Sequence, residues 1–348
     1  MKIGVDALGG DYSPQVPVQA ALEIVREKNW KIVLYGDEKL VGAELNKSRD
    51  YPNDNIEVRH CTQKVEMSDN IQVAIRKKDS SMRVGYMDLK ENIIEAFVSA
   101  GHSGAMLAIG KSVLKTLGNI ERPCICALMP TIVPGKNLLL TDAGANMDCT
   151  PENLLQFGML GSIYMKYLHN LNNPRVGLLN VGEEPGKGNE VVKEAFDLLT
   201  RSSLNFVGNI EGKQFFMDQA DVVVCDGFAG NVLLKTSQGT FRLIKTLVLD
   251  EFKSSILSKI GLPFLYLSMK KIQDRLDYAK FGGAPLLGLN GVSIVSHGSS
   301  NVAALKYAIS FSGWAVEKSI ISIMKKRLQE EAELFAAKEE KTQKTEHG

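Results

Sequence analysis

Short apolar runs alternate along the chain with longer stretches whose apolar positions recur at helical spacing. Ile3-Gly4-Val5 is followed by a loop and then by Val16–Lys28, where apolar residues fall three and four apart. Further runs sit at Lys31–Tyr35, Glu95–Ser99, Asn137–Leu140, Val176–Leu179, Asn205–Gly208, Val222–Cys225 and Val292–Ser296. Most are rich in β-branched residues, close on Gly, Asn or Asp, and are separated by enough chain for a crossover helix. The pattern predicts βαβ units and an α/β fold: three layers, with a mainly parallel sheet between two layers of helices.

Two stretches depart from this rhythm. Thr240–Tyr278 holds no strand and is expected to form a protruding helical hairpin around Gly261-Leu262-Pro263. After Ser300 the chain is expected to be helical to about Leu328. Residues 1–328 are therefore taken as a single α/β catalytic domain and 329–348 as a charged C-terminal tail.

Composition narrows the function. Lys+Arg of 41 against Asp+Glu of 40 over 348 residues leaves a formal charge of +1, so no global basic field is present to hold nucleic acid. Cys61, Cys124, Cys126, Cys149 and Cys225 are scattered and have no paired two-residue gaps, as expected of reduced thiols packed as small hydrophobes. The five histidines form no metal-ligand spacing, and no metal or other cofactor is predicted. The opening Lys2-Ile3-Gly4-Val5-Asp6 has no charged leader and apolar stretch, and no run approaches a membrane span, which predicts a cytoplasmic chain.

The candidate chemistry lies in glycine-containing loops that follow predicted strands: Asp6–Asp11, Ser99–Ala105, Asp142–Asn146, Asn180–Glu190 and Asp226–Asn231. In a parallel sheet such loops share one edge, and helix N-termini beside them suit phosphate. Gly182–Asn189 has the wrong spacing for a nucleotide P-loop, and no dinucleotide fingerprint follows the first strand. The loops nominate Asp6, Gly9, Gly10, Gly101, Ser103, Gly104, Asp142, Gly144, Asn146, Asn180, Gly182 and Gly188 as substrate or phosphate ligands. Arg76–Met82 adds Lys78 and Ser81 at a helix start. Carboxylates such as Asp6, Asp142 and Asp226 could hold magnesium, but capping is the favoured reading. His297-Gly298-Ser299-Ser300 fits a ligand-facing turn between the last strand and the last helix.

Taken together, these residues resemble the bacterial phosphate acyltransferase (PlsX) family. The likeness runs from Lys2 to about Leu328. It includes Val5-Asp6-Ala7 with Gly9-Gly10-Asp11, Leu178–Glu184, Gly186–Glu190, Val223–Phe228, Gly282–Gly288 and His297–Ser300. The chain departs from that family at His102-Ser103, where Asn-Thr is usual, and at Tyr12, where His is usual. The resemblance implies a fold similar to phosphate acetyltransferases and isopropylmalate dehydrogenases, and a homodimer. It also implies transfer of a long fatty acyl group from acyl carrier protein to inorganic phosphate, the product feeding a membrane glycerol-3-phosphate acyltransferase. Rival readings are an acetyl-CoA:phosphate acetyltransferase, an NAD-dependent dehydrogenase of related fold, and a membrane-bound scaffold.

For acyl transfer, Lys187 and the N–H groups of the loops would serve the anions, while Asp226, Asn231 and His297 would position groups or move protons. Arg242, Lys245, Lys253, Lys259, Lys270, Lys271 and Arg275 are the expected surface for an acidic carrier. Between Lys259 and Lys270 runs an apolar segment with Leu262, Phe264, Leu265 and Leu267. It is too short to span a bilayer and is expected to insert shallowly into the inner face of the cell membrane.

Overall fold

The computed structural model describes residues 1–48, 53–254, 283–331 and 333. Among them is one sheet of 11 strands: β1 (Lys2–Asp6), β2 (Lys31–Gly36), β3 (Ile56–His60), β4 (Ala96–Ser99), β5 (Cys124–Pro130), β6 (Asn137–Thr141), β7 (Arg175–Asn180), β8 (Asn205–Glu211), β9 (Val222–Val224), β10 (Ala284–Leu287) and β11 (Val292–Val295). Their spatial order is β3-β2-β1-β4-β11-β10-β5-β6-β9-β7-β8.

Helices cover both faces, because most strands bury both sets of side chains. One face packs on α1 (Gln15–Glu27), α6 (Pro151–Leu168), α7 (Glu190–Arg201) and α9 (Val302–Glu317), through residues such as Leu22, Phe157, Leu199 and Leu305. The other packs on α4 (Ser81–Lys90), α5 (Ser103–Leu114) and α8 (Gly227–Ser254), through Met82, Met106, Ile109 and Leu233. Two shorter helices, α2 (Glu38–Leu45) and α3 (Ile71–Arg76), complete the first half. Residues 320–331 are helical after a break at Lys318-Ser319.

The α/β expectation holds, and the run of chain after Thr240 begins as the distal half of α8. The rest of the expected hairpin, with Leu262, Phe264, Leu265 and Leu267, lies outside the described residues, as does nearly all of the tail. Three strands had no counterpart in the sequence reading: β3, β5 and β10. Of these, β10 and β5 change the architecture. Both β10–β11 and β10–β5 are antiparallel, and so is β5–β6. Three successive inversions leave β6, β9, β7 and β8 running opposite to β1, β2, β4 and β11.

The five glycine loops therefore do not share one edge. Those after β1 and β4, with the His297 turn after β11, leave one edge of the sheet, and those after β6, β7 and β9 leave the other. Register nevertheless brings the two sets to a common level. Thr141 pairs with Cys126, Ile125 with Leu286, Pro285 with Ile294, and Ile294 with Val98. Moving one residue from Ile125 to Cys126 and from Leu286 to Pro285 places Thr141 level with Val98. The ends of β4 and β6 thus face each other across four strand steps, or about 19 Å at the usual strand spacing.

Candidate active site

The first group of loops is built around Asp6, at the end of β1. Its carboxylate is buried and accepts Ser99 Oγ–H at 2.6 Å and the Leu8 N–H at 3.1 Å. Ser99 Oγ in turn accepts the Gly101 N–H at 2.9 Å. Burial pushes the Asp6 carboxyl above its ordinary value, against hydrogen bonds from Ser81, Ser99 and the Leu8 and Gly9 N–H groups. Gly9 has to be glycine because a Cβ there would lie 2.7 Å from Asp6 Oδ2 and 2.8 Å from Ser99 Oγ. Gly10 takes a positive φ of 90°, and the Asp11 N–H donates to Gly298 O at 2.8 Å, tying the β1 loop to the turn after β11.

Two helix N-termini converge on this floor. Ser80 caps α4, its side chain accepting from the Arg83 N–H, and Ser81 follows with its side chain bonded to Asp6. His102 caps α5: its Nδ1 accepts the Ala105 N–H at 3.2 Å. An Asn side chain commonly makes that bond, so His102 supplies the same cap with an imidazole. Among the described residues, nothing accepts from the N–H groups of Ser103 and Gly104. They are available to an anion at the positive end of α5. Lys78 is exposed on the approach to α4.

His297 stands at the end of β11, with Ser299 Oγ 2.7 Å from its Nδ1. Burial, with the cations Lys235 and Arg242, holds the imidazole below its ordinary value, while Asp11 acts in the opposite sense. Lys235 and Arg242 belong to α8 and are seven residues apart, two helical turns on one side. α8 starts in the second group of loops and reaches the first by its length. Lys235 and Ser99 were missed as site residues and Arg242 was assigned to carrier docking, although the seven-residue spacing was visible in the sequence.

The second group is centred on Asp142, which is fully buried. Its Oδ1 accepts the N–H groups of Ile125, Gly144 and Ala145, and its Oδ2 those of Ala145 and Asn146 and the Asn146 side chain at 2.8 Å. Every accepting direction is used by its own loop and by the neighbouring strand β5, so Asp142 shapes the loop and presents nothing to a ligand. Asn146 Nδ2 also donates to Pro123 O. Asp226 caps α8, accepting the Ala229 N–H at 2.7 Å. Gly227 and Gly230 let α8 lie directly on this loop, the Gly227 N–H donating to Asn146 O at 2.7 Å. Asn231 packs against Gly144.

Next to it, the β7 loop is held by Asn180, whose Nδ2 donates to Lys187 O at 3.0 Å. Gly188, at a φ of 94°, leaves room for the Asn180 side chain. Gly182 is buried beneath the Lys187 stem, and Lys187 is exposed with no ion pair among the described residues. The structure thus divides the predicted residues. Asp6, Gly9, Gly10, Lys78, Ser81, Gly101, Ser103, Gly104 and His297 form one group. Asp142, Gly144, Asn146, Asn180, Gly182, Lys187, Gly188, Asp226 and Asn231 form the other.

Burial pushes all five thiols up, Cys61 and Cys149 to about 12, so none is poised as a thiolate nucleophile. Among the described residues no three His, Cys, Asp or Glu side chains are grouped to hold a metal, and no helix is long and apolar enough to cross a membrane.

The family described as fatty acid synthesis protein matches residues 1–323. The chain belongs to this family. It is 42% identical over 333 residues to the phosphate acyltransferase of Thermodesulfovibrio yellowstonii, covering 96% of each chain. It is 45% identical over 311 residues to that of Alkaliphilus oremlandii, covering 89% of this chain and 92% of the relative. It is an acyltransferase. Among solved structures, a phosphotransacetylase from Streptococcus pyogenes superposes with a TM-score of 0.61 at 20% identity, covering 91% of this chain and 94% of that one. A 4-hydroxythreonine-4-phosphate dehydrogenase from Klebsiella pneumoniae gives 0.53 at 10% identity, covering 91% and 99%. These likenesses extend the fold to both an acyltransferase and a dehydrogenase, as expected from the sequence.

Proposed function

We propose that this chain transfers a long fatty acyl group from acyl carrier protein to inorganic phosphate, giving an acyl phosphate for phospholipid synthesis. The observation that carries the reading is the convergence of the α4 and α5 N-termini on a glycine floor, with N–H groups of Ser103 and Gly104 left for an anion. Phosphate bound there is desolvated and held with one oxygen toward the thioester carbon. That oxygen attacks, the carbonyl becomes a tetrahedral oxyanion, and the carbon–sulfur bond breaks as the acyl–oxygen bond is retained. The carrier thiolate leaves and takes a proton.

His297, neutral because burial and two cations disfavour its charge, accepts the Ser299 N–H at Nδ1 and so carries its proton on Nε2, which suits it to donate a hydrogen bond to phosphate. Lys187, unpaired on a loop fixed by Asn180, serves negative charge on the acyl donor or the oxyanion, with Asp226 and Asn231 keeping α8 and its loop in place. Lys187→Ala is expected to lose about two to three orders of magnitude in turnover, as when one oxyanion donor is removed. Activity within threefold of the parent removes Lys187 from the site.

The carrier docks on the exposed α8 surface at Arg242 and Lys245, beside His297. The protein works as a homodimer at the inner face of the membrane and hands its product to a glycerol-3-phosphate acyltransferase. The deciding assay follows loss of the donor with phosphate present and absent, comparing long-chain acyl carrier protein with acetyl-CoA. Phosphate-dependent turnover of the long-chain donor supports the reading. Preference for acetyl-CoA, or turnover indifferent to phosphate, sinks it.

A further inference from the structure

α3 is a short helix with an unusual surface. Asn70 caps it through the Val73 N–H, and Lys77 pins its end to Lys64 O at 2.8 Å and to Asp69 at 2.6 Å. It rests on the protein through Ala74, which is fully buried. Ile75 also packs against the core, while Ile71 is 37% exposed. Val73, 39% exposed, stands two residues on and so on another side of the helix, which leaves Ile71 as the part-exposed apolar group toward α5.

Ile71 borders the anion position. Ile71 Cδ1 lies 3.1 Å from where a Cβ on Gly104 would stand, so it lies directly on the first turn of α5. In any acyl transfer to a phosphate bound at Ser103 and Gly104, the acyl carbon must come within bonding reach of a phosphate oxygen. The hydrocarbon behind that carbon then has to leave over whatever flanks the α5 N-terminus. On the α3 side the flanking group is the Ile71 side chain.

We infer that Ile71 forms the lip that receives the first part of the acyl chain and sets the preference for long donors. The inference rests on the proposed phosphate reaction and names where its apolar substrate lies. Covering the lip contributes to binding only when a chain is long enough to reach across it, so it raises specificity for long donors without touching the reacting atoms.

The test compares Ile71→Ala with the parent, using sixteen-carbon and four-carbon acyl donors, and in parallel titrates a fluorescent sixteen-carbon fatty acid. The ratio of long-chain to short-chain kcat/KM is expected to fall about tenfold, on the scale of a lost side chain in an apolar pocket, with fatty-acid affinity falling in step. An equal fall for both donors means that Ile71 merely supports Gly104, and overturns the inference. So does an unchanged ratio, or a change in oligomeric size that assigns Ile71 to a contact with a second copy. If the parent transfers no acyl group to phosphate, the functional reading fails. The fatty-acid titration then decides the lip alone, an Ile71→Ala affinity equal to the parent's refuting it.

Discussion

Asp142 distinguishes a loop-shaping carboxylate from a ligand-binding one, and the substitution Asp142→Asn separates the two. An amide keeps one accepting oxygen and turns an NH2 toward the other set of donors. If the amide nitrogen replaces Oδ1, the N–H groups of Ile125 and Gly144 lose their partner. If it replaces Oδ2, the N–H and side-chain amide of Asn146 lose theirs. In either orientation two donor hydrogens at least partly buried lose their acceptor, the Asn146 side chain keeping Pro123 O, while Ala145 keeps one bond because it reaches both oxygens. At about 1–3 kcal/mol for each orphaned donor, the loss is about 2–6 kcal/mol. Burial already raises the Asp142 carboxyl, so removing its charge relieves some desolvation and brings the net nearer about 2–4 kcal/mol. That is a large part of the roughly 5–15 kcal/mol that separates folded from unfolded domains. The measurement is urea unfolding followed by circular dichroism, with steady-state kinetics on the remaining folded fraction. A lower midpoint, with KM for phosphate within threefold of the parent, is the expected result. Stability within about 1 kcal/mol together with a steep rise in that KM would refute the reasoning, because it would mean that Asp142 faces the substrate.

His297 is held below its ordinary value, so the acid limb of kcat/KM is expected below the usual imidazole range. Lys235→Ala or Arg242→Ala removes a cation that opposes protonation and should move that limb to higher pH; a limb that stays put excludes the pair from the site. By linkage the unfolded chain takes up the His297 proton first as pH falls, so this group lowers stability toward acid. His102→Ala should cost about 0.5–2 kcal/mol by uncapping α5, whereas His102→Asn should retain the cap; thermal melts giving the two variants equal losses would exclude the cap. For the membrane, Leu262→Glu with Leu265→Glu is expected to abolish sedimentation with anionic liposomes while soluble activity and dimer size persist. Unchanged sedimentation removes the apolar run from the interface.

What the sequence made legible follows from how local its signals are. β1, β2 and β4 stand near the apolar runs Ile3-Gly4-Val5, Lys31–Tyr35 and Glu95–Ser99, because period and β-branching act within a few residues. The loop after β7 was legible for the same reason, since glycine at Gly188 is dictated by Asn180 and Val192, atoms that the turn itself brings close, whereas Gly9 also answers to Ser99 and Gly101 from β4 and its loop. The missed strands lack those signals. β10 is Ala284-Pro285-Leu286-Leu287, with a proline inside a central strand, and β5 opens Cys124-Ile125-Cys126 with few β-branched residues.

The cost of missing those two strands was larger than two elements. Strand direction is a property of neighbours, and β10 and β5 carry the antiparallel pairings that reverse half the sheet. With them left out, every loop after a strand belonged to one edge, those of Lys187 and His297 included. With them in place, Lys187 and His297 leave opposite edges. The element that then joins the groups is α8, capped by Asp226 among the second set of loops and carrying Lys235 and Arg242 to His297 in the first. No motif in the chain encodes that reach. It follows from the helix itself, which carries Lys235 and Arg242 about 12 and 22 Å beyond Gly227 at 1.5 Å per residue and is started on the Asp142–Asn146 loop by two glycines that let the backbones touch. A site assembled in this way should respond to changes along the middle of α8 as strongly as to changes in the loops themselves, because the helix sets where both cations stand.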